Sequence, residues 1–244
     1  MKIDAVVLYC SNDERFANAC LSELLKCTDM IHVITYTNFW NGDIENLDIL
    51  NKTEKKFSSE SCKFYRIDAS QRNDIPLYWE NIGRYQATQY VSIDTDFILY
   101  IDIDEIIESE KFNKIKDDLI PYDVIQFSNY WYFREPIYRA NQIEYSIKMC
   151  NTSLAKKLPL VNNKGREQYY EIAGTKRFVY EPVIFHHYSW VRNKKEMLKK
   201  TKTWGHRNDK NWETIITNEF NKPFNGTDFI HNYTYKTVEN IFNI

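Results

Sequence analysis

Two continuous apolar runs separated by an amphipathic stretch constrain the fold more than any other feature of the chain. Ala5-Val6-Val7-Leu8-Tyr9 is apolar without alternation, as a strand covered on both faces must be. It ends in the polar turn Cys10-Ser11-Asn12-Asp13-Glu14, after which Phe16, Ala19, Cys20, Leu24 and Leu25 recur at helical spacing. Met30 to Tyr36 is a second apolar strand. A strand, a helix and a strand in this order predict a β-α-β unit, and with it a parallel sheet that carries helices on its faces.

The rest of the chain continues the pattern less regularly. Asn38 to Ser61 is polar and holds the turn signal Asn41-Gly42-Asp43. Lys63 to Asp68 predicts a third strand. Pro76 to Val91 predicts a helix with Trp79, Ile82, Tyr85, Gln86 and Tyr90 roughly on one face, and Asp96 to Ile101 a further buried strand. Tyr122 to Phe127, Ile143 to Met149 and Phe178 to Phe185 are strand candidates. Leu154 to Gly174 reads as loop with some strand, and Lys194 to Trp204 as a charged helix. From Asn208 the tail is aromatic-rich and interrupted by Pro223 and Gly226. No repeat and no low-complexity linker divides the chain.

Charge and cysteine content exclude several classes. A net charge of -2 gives no basic field for duplex nucleic acid, so no nucleic-acid partner is expected. Five cysteines, odd in number and without a CxxC pair, suggest neither a disulfide framework nor a zinc knuckle. A reducing, cytoplasmic setting is the simplest reading. The N-terminus enters strand pattern directly, without a leader, and no apolar run reaches the length of a transmembrane segment. With only 6 Gly and no GxxxxGK[ST], a P-loop enzyme is disfavoured.

The buried strand before residue 102 runs into Asp102-Ile103-Asp104-Glu105. Carboxylates at a strand end must be solvated, paired or bound to a cation. Alternation along an extended chain puts Asp102 and Asp104 on one side, and in open α/β sheets ligands bind at the carboxyl ends of strands. Two hard oxygen ligands there suit Mg²⁺ or Mn²⁺ carrying phosphate oxygens. The plainer alternative is a polar strand end whose Asp104 or Glu105 complements a following helix N-terminus.

The run Ile98-Leu99-Tyr100-Ile101-Asp102-Ile103-Asp104-Glu105 resembles the Asp-x-Asp-Glu segment of the GT-A glycosyltransferases, especially their family-2-like branch. Asn81-Ile82-Gly83-Arg84-Tyr85-Gln86-Ala87 resembles the Arg-bearing helix that precedes this strand in that family, and His186-His187-Tyr188-Ser189-Trp190-Val191-Arg192 resembles its later His segment. The resemblance implies an α/β GT-A fold with a mixed, mainly parallel central sheet flanked by helices, formed by residues 1–244 as one domain. About residues 1–108 would be the nucleotide-sugar-binding half, about 109–206 the acceptor half, and 207–244 a C-terminal appendage. It further implies a transferase that moves a sugar from a nucleotide-diphosphate donor to a glycan, lipid-linked or protein hydroxyl, with Mn²⁺ or Mg²⁺.

On that resemblance Asp102, Asp104 and His187 would hold the metal, with His186 as second choice because alternation lets only one of the pair face the site. Asp104 also counts as catalytic. Tyr9, Ser11, Asn12, Asp68, Arg84, Asp102, Arg192 and Lys200 would bind the nucleotide-sugar, the cationic ones neutralising phosphate. Glu135, which follows the aromatic run Trp131-Tyr132-Phe133-Arg134, is the candidate base, with Glu167 and Glu171 as others. Thr35-Tyr36-Thr37 stands where the family usually has an acidic pair for base and ribose. Rival readings are a sugar nucleotidyltransferase, disfavoured because Cys10 to Glu14 is acidic and lacks Gly; a nuclease, disfavoured by the absence of a basic stripe; and a non-catalytic carbohydrate-binding protein on a degenerate transferase fold.

Overall fold

The computed structural model describes residues 1–71, 77–157 and 165–244. The expected β-α-β opening is present as β1 (Ile3–Leu8), α1 (Glu14–Leu24) and β2 (Met30–Tyr36). The polar stretch after β2 contains a helix that its composition hid, α2 (Leu47–Phe57). Leu50 and Thr53 of α2 are buried and Phe57 packs on the same core, a narrow stripe on an otherwise polar helix, and the Asn46 side chain caps it by accepting from Ile49 N. β3 (Cys62–Ile67), α3 (Tyr78–Tyr90) and β4 (Phe97–Asp102) follow as expected in order.

α3 turns a different face inward from the one its large apolar residues suggest. Asn81, Gly83, Arg84, Ala87 and Thr88 are buried, while Gln86 and Tyr90 are exposed. Close approach explains this choice. A Cβ on Gly83 would stand 2.0 Å from the Tyr36 hydroxyl and 3.0 Å from a Leu8 methyl, so only glycine lets the helix sit this near β1 and β2.

The remaining elements are β5 (Glu105–Ile107), α4 (Ser109–Ile115), β6 (Val124–Phe133), β7 (Glu135–Asn151), α5 (Thr152–Lys157), β8 (Arg177–Trp190), α6 (Lys194–Thr203), α7 (Trp212–Phe220) and β9 (Tyr235–Thr237). β7 is far longer than the Ile143–Met149 run, because its outer half is polar and partly exposed. Residues 165–171 form a 3₁₀ helix where loop or strand was expected. Residues 158–164 of that segment, and Pro76 ahead of α3, lie outside the described residues. No helix begins at Asp104 or Glu105; the chain turns there and enters β5.

The sheet order is β3-β2-β1-β4-β7-β6-β8-β5, with β9 added beside β7. β3, β2, β1 and β4 are mutually parallel, as are β6 and β8, while β7 joins β4 and β6 antiparallel. β4 and β5 are linked by Ile103 and Asp104 alone, yet β7, β6 and β8 stand between them in the sheet. The sheet must therefore curl until its β8–β5 edge returns to β4. Two backbone bonds tie the curl at this link: Ile103 N donates to Leu8 O at 3.0 Å, and Tyr188 N donates to Asp104 O at 2.8 Å.

Helices cover both faces. One apolar core joins α1, α2 and α4 to the sheet through Phe16, Leu21, Leu50 and Phe112, and a second lies under α3 and α5 through Ala87, Tyr100 and Ala155. A third, built on Trp131, Phe133, Trp190, Met197, Trp212 and Ile216, fastens residues 207–244 to the curled end of the sheet. Among the described residues no helix is long and apolar enough to cross a membrane.

Candidate active site

A cavity of about 630 Å³ opens at the carboxyl ends of β1, β2 and β4. Strand ends and the curl place its charged groups. Asp102 is the last residue of β4 and Asp104 lies in the turn after it; both line the cavity. β5 pairs antiparallel with β8 so that Glu105 stands opposite His187. This register brings the His187 ring to the turn, with Nε2 3.8 Å from Asp104 Oδ1.

Each aspartate holds its own set of cations. Arg84 Nη2 donates to Asp102 Oδ1 at 2.7 Å, and Arg166 Nη2 is 4.0 Å from Asp102 Oδ2. Lys200 Nζ donates to Asp104 Oδ2 at 3.2 Å, with Arg192 Nη2 3.9 Å from the same oxygen. Arg84 is fully buried and also pairs with Glu80; burial opposes its charge, but Asp102 and then Glu80 hold it protonated.

Glu105 does not face the cavity. Its carboxylate is buried and accepts from Arg166 Nη1 at 3.1 Å and Nη2 at 2.7 Å, with Lys148 Nζ 2.6 Å away. Burial raises its pKa, yet Arg166 and then Lys148 hold the carboxyl well below the usual range. Burial in turn pushes the Lys148 ammonium down to about 8. Through Arg166 this ion cluster pins the 165–171 helix beneath Asp102, a contact made firmer by Arg166 Nη1 donating to Tyr100 O at 2.9 Å.

The other sequence candidates divide. Tyr9, Asn12, Arg84 and Lys200 line the cavity with the two aspartates and His187. Ser11 is buried beside it and donates to Glu45. Arg192 is buried one layer back, donating to Asn12 O at 2.6 Å and Ser189 O at 3.0 Å and pairing with Asp13. Burial raises the Asp13 pKa, but Arg192 beside it brings the carboxyl down to about 2. Arg192 therefore fastens the loop after β1 to the end of β8.

Four candidates lie elsewhere. Asp68 is exposed and closes a turn, accepting from Ser70 N at 2.9 Å and Thr37 Oγ1 at 3.2 Å. Glu135 is exposed at the β6–β7 hairpin, away from the cavity lining, because strand alternation sends the preceding aromatic run to different sides. Trp131 lines the cavity, Tyr132 donates or accepts at 2.8 Å with His186 Nδ1, and Phe133 enters the third core. His186 itself is buried away from Asp104, with Nε2 3.0 Å from Glu108 Oε1. The two histidines lie inside β8 rather than at its end. Glu171 is exposed and outside the lining, whereas Glu167 lines the cavity.

Several cavity residues had no signal in the sequence. Glu45 comes from the polar stretch before α2, is buried, and leaves Oε2 without a hydrogen-bond partner among the described residues. Arg166 and Glu144 come from segments with no motif. Glu80 carries a usable sign, its i,i+4 spacing to Arg84. Trp204, His206 and His231 reach the cavity from the end of α6 and the tail.

Among the described residues no three His, Cys, Asp or Glu side chains gather as an all-protein metal cage. The Asp104–His187 pair nevertheless fits a hard divalent ion. With metal–ligand bonds of about 2.0–2.2 Å, two ligands of one ion stand about 3 Å apart when adjacent and about 4 Å apart when opposite, and the observed 3.8 Å falls within that span. The Lys200 ammonium on the other oxygen of Asp104 marks the same carboxylate as a seat for positive charge.

No family model matches the chain, and no curated protein does. Solved structures match in fold. S. aureus TarS has a TM-score of 0.51 at 15% identity, covering 82% of this chain and 39% of TarS. TarS 1–349 in complex with UDP has a TM-score of 0.51 at 14% identity, covering 83% of this chain and 64% of that one. The same portion in complex with UDP-GlcNAc has a TM-score of 0.51 at 13% identity, covering 76% and 58%. The chain thus spans less than two thirds of each. The α/β fold with a mixed, curled central sheet flanked by helices is the GT-A-like fold that these TarS structures share.

Proposed function

We propose that the chain is a metal-dependent glycosyltransferase that takes a sugar from a nucleotide-diphosphate donor and passes it to a hydroxyl acceptor. One observation carries the reading: the curl of the sheet brings Asp102, Asp104, His187, Arg84, Arg166 and Lys200 around a single cavity at the parallel strand ends. The binding of UDP and UDP-GlcNAc by TarS, which has the same fold, supports a nucleotide-sugar as the donor.

Asp104 and His187 would hold the cation, with Asp102 next to it. A divalent ion in that place takes up charge on the leaving diphosphate and orients its oxygens. The chain's own cations then do the remaining work. Arg84 and Arg166, whose forks are held by Glu80, Asp102 and Glu105, add positive field beneath Asp102, and Lys200 reaches Asp104 from α6. Tyr9, Asn12 and Trp40 wall the side where β1 and β2 end, the place for the nucleoside.

The test is calorimetric titration of UDP, GDP, CDP and dTDP with Mn²⁺, then with EDTA, on the wild type and Asp104→Ala. Metal-dependent binding of one diphosphate, lost in the variant, is expected. Binding that ignores both metal and Asp104 would remove the metal site. No binding of any diphosphate would favour the carbohydrate-binding reading.

A further inference from the structure

Two histidine rings from distant parts of the chain meet the same indole. His187 on β8 lies with its centroid 4.7 Å from that of Trp131, at an interplanar angle of 85°. His231 in the tail lies 4.9 Å from it, at 77°. All three line the cavity. His187 belongs to the Asp104 end, whereas nothing in the donor-site account uses His231.

His231 has the surroundings of a proton acceptor. Its Nε2 stands 3.5 Å from Oε1 of Glu144, a half-buried carboxylate on β7 that also lines the cavity. That arrangement leaves Nδ1 as the nitrogen free to take a proton. Tyr233 stacks on the ring at 5.0 Å and 27°, and its hydroxyl bonds to Glu144. Asp228 is the further charged group of this loop. It is buried, and its carboxylate is spent on the loop itself, accepting from the amides of Ile230 and His231 at 2.6 Å, of Asn232 and Tyr233 at 3.2 Å, and from the Tyr235 hydroxyl at 2.8 Å. The backbone that carries His231 is therefore held rigidly, while its ring keeps about a third of its surface open.

The placement suits a base. His187 and His231 each stand just under 5 Å from the same indole, and all three rings line the cavity, so the cation-side ligand and the base belong to one stretch of its wall. Of the carboxylates expected for this task, Glu135 and Glu171 are outside the cavity, and Glu167, which lines it, accepts from Ile147 N at 3.4 Å.

We propose that His231, oriented by Glu144, is the general base for the acceptor; the inference rests on the donor-site reading above. The acceptor O–H proton passes to His231 Nδ1. The oxygen's lone pair forms the new bond to the anomeric carbon as the anomeric C–O bond to the diphosphate breaks, and that bond's electron pair leaves with the nucleoside diphosphate. Glu144 balances the imidazolium. An in-line attack of this kind inverts the anomeric centre.

The experiment measures UDP released from UDP-N-acetylglucosamine and UDP-glucose, in water and with methyl glycosides as acceptors, alongside UDP binding by calorimetry. His231→Gln is expected to lower turnover by about 10²–10⁴-fold with UDP affinity unchanged. Imidazole should restore part of the turnover of His231→Ala. Glu144→Gln, which removes only the orienting charge, should lower kcat and leave the donor KM in place. Turnover of His231→Gln within about threefold of wild type overturns the inference, as does a loss in His231→Ala that imidazole does not relieve. Wild-type protein that binds UDP but turns over neither donor overturns the base and leaves the donor site standing; failure to bind UDP strikes the donor reading instead.

Discussion

The two ends of the cavity are built by different physics. At the strand-end side Asp102, Asp104 and Glu105 are locked among Arg84, Arg166, Lys148 and Lys200, so almost every charge there is buried against an opposite one. At the far end Trp190, Trp204 and Trp212 meet at ring distances of 5.7–5.8 Å, Trp131 belongs to the same apolar core, and His206 and His231 lie against Trp204 and Trp131 in turn, so the wall is held by apolar packing. A mesh of buried ion pairs fixes positions by electrostatic balance and fails when one partner is removed. An aromatic cluster fixes shape by volume and fails when a void is left.

Two substitutions of similar, large effect separate these modes. Glu105→Gln leaves Arg166 and Lys148 buried without their anion and should cost about 3–5 kcal/mol, read by urea unfolding. Adding Lys148→Met to it should recover part of that loss, since one stranded charge goes with it. Trp190→Ala should also cost about 3–5 kcal/mol, but no charge substitution should recover it. If Lys148→Met gives Glu105→Gln no relief, the strand-end side is held by packing as well and the contrast fails.

The same contrast explains what the sequence disclosed. The strand-end side is legible because local order builds it: an apolar strand, a carboxylate turn, and strand ends that parallel pairing aligns. The run Ile98 to Asp104 marks the end of β4, where the cavity opens. Arg166 and Lys148 were invisible, because only the curl brings the 165–171 helix and β7 to Glu105, and no spacing along the chain encodes a curl. The far end is less legible still. Glu144 sits in the expected strand Ile143 to Met149 but carries no motif, and His231 lies in a tail with no period at all. α2 escaped for a simpler reason: its stripe of Leu50, Thr53 and Phe57 is narrow and lies within a run of polar and charged residues.

Acidity offers a smaller, sharper division. Asp13 has a usual pKa of 3.8 and is held at about 2 in the fold. A lowered carboxyl adds stability at all pH values above its unfolded pKa, and that contribution disappears as pH falls through the folded value. Asp13→Asn should therefore lose on the order of 2 kcal/mol at neutral pH, and the gap to wild type should close between about pH 4 and pH 2. Trp190→Ala, tested over the same range, should keep its full deficit relative to wild type. A gap for Asp13→Asn that persists unchanged at pH 2 would mean that the Arg192 pairing contributes by shape rather than by charge.

The smallest predicted effect concerns the element that joins the two ends. α6 extends Lys200 to Asp104 and leads at its C-terminus into Trp204, so one helix sets a cation in one mode and a ring in the other. Its start is fixed by a capping box, Asn193 Oδ1 accepting from Glu196 N at 3.0 Å and Glu196 Oε2 accepting from Asn193 N at 2.9 Å. Asn193→Ala removes one side of that exchange and should cost about 1 kcal/mol. Because the third core holds Met197 completely buried further along the helix, α6 should fray at its first turn without shifting. UDP affinity, measured by calorimetry, should then change by less than about threefold. A larger drop would show that Lys200 depends on the cap more than on the core, and that the charged end of the cavity is the weaker partner in this joint.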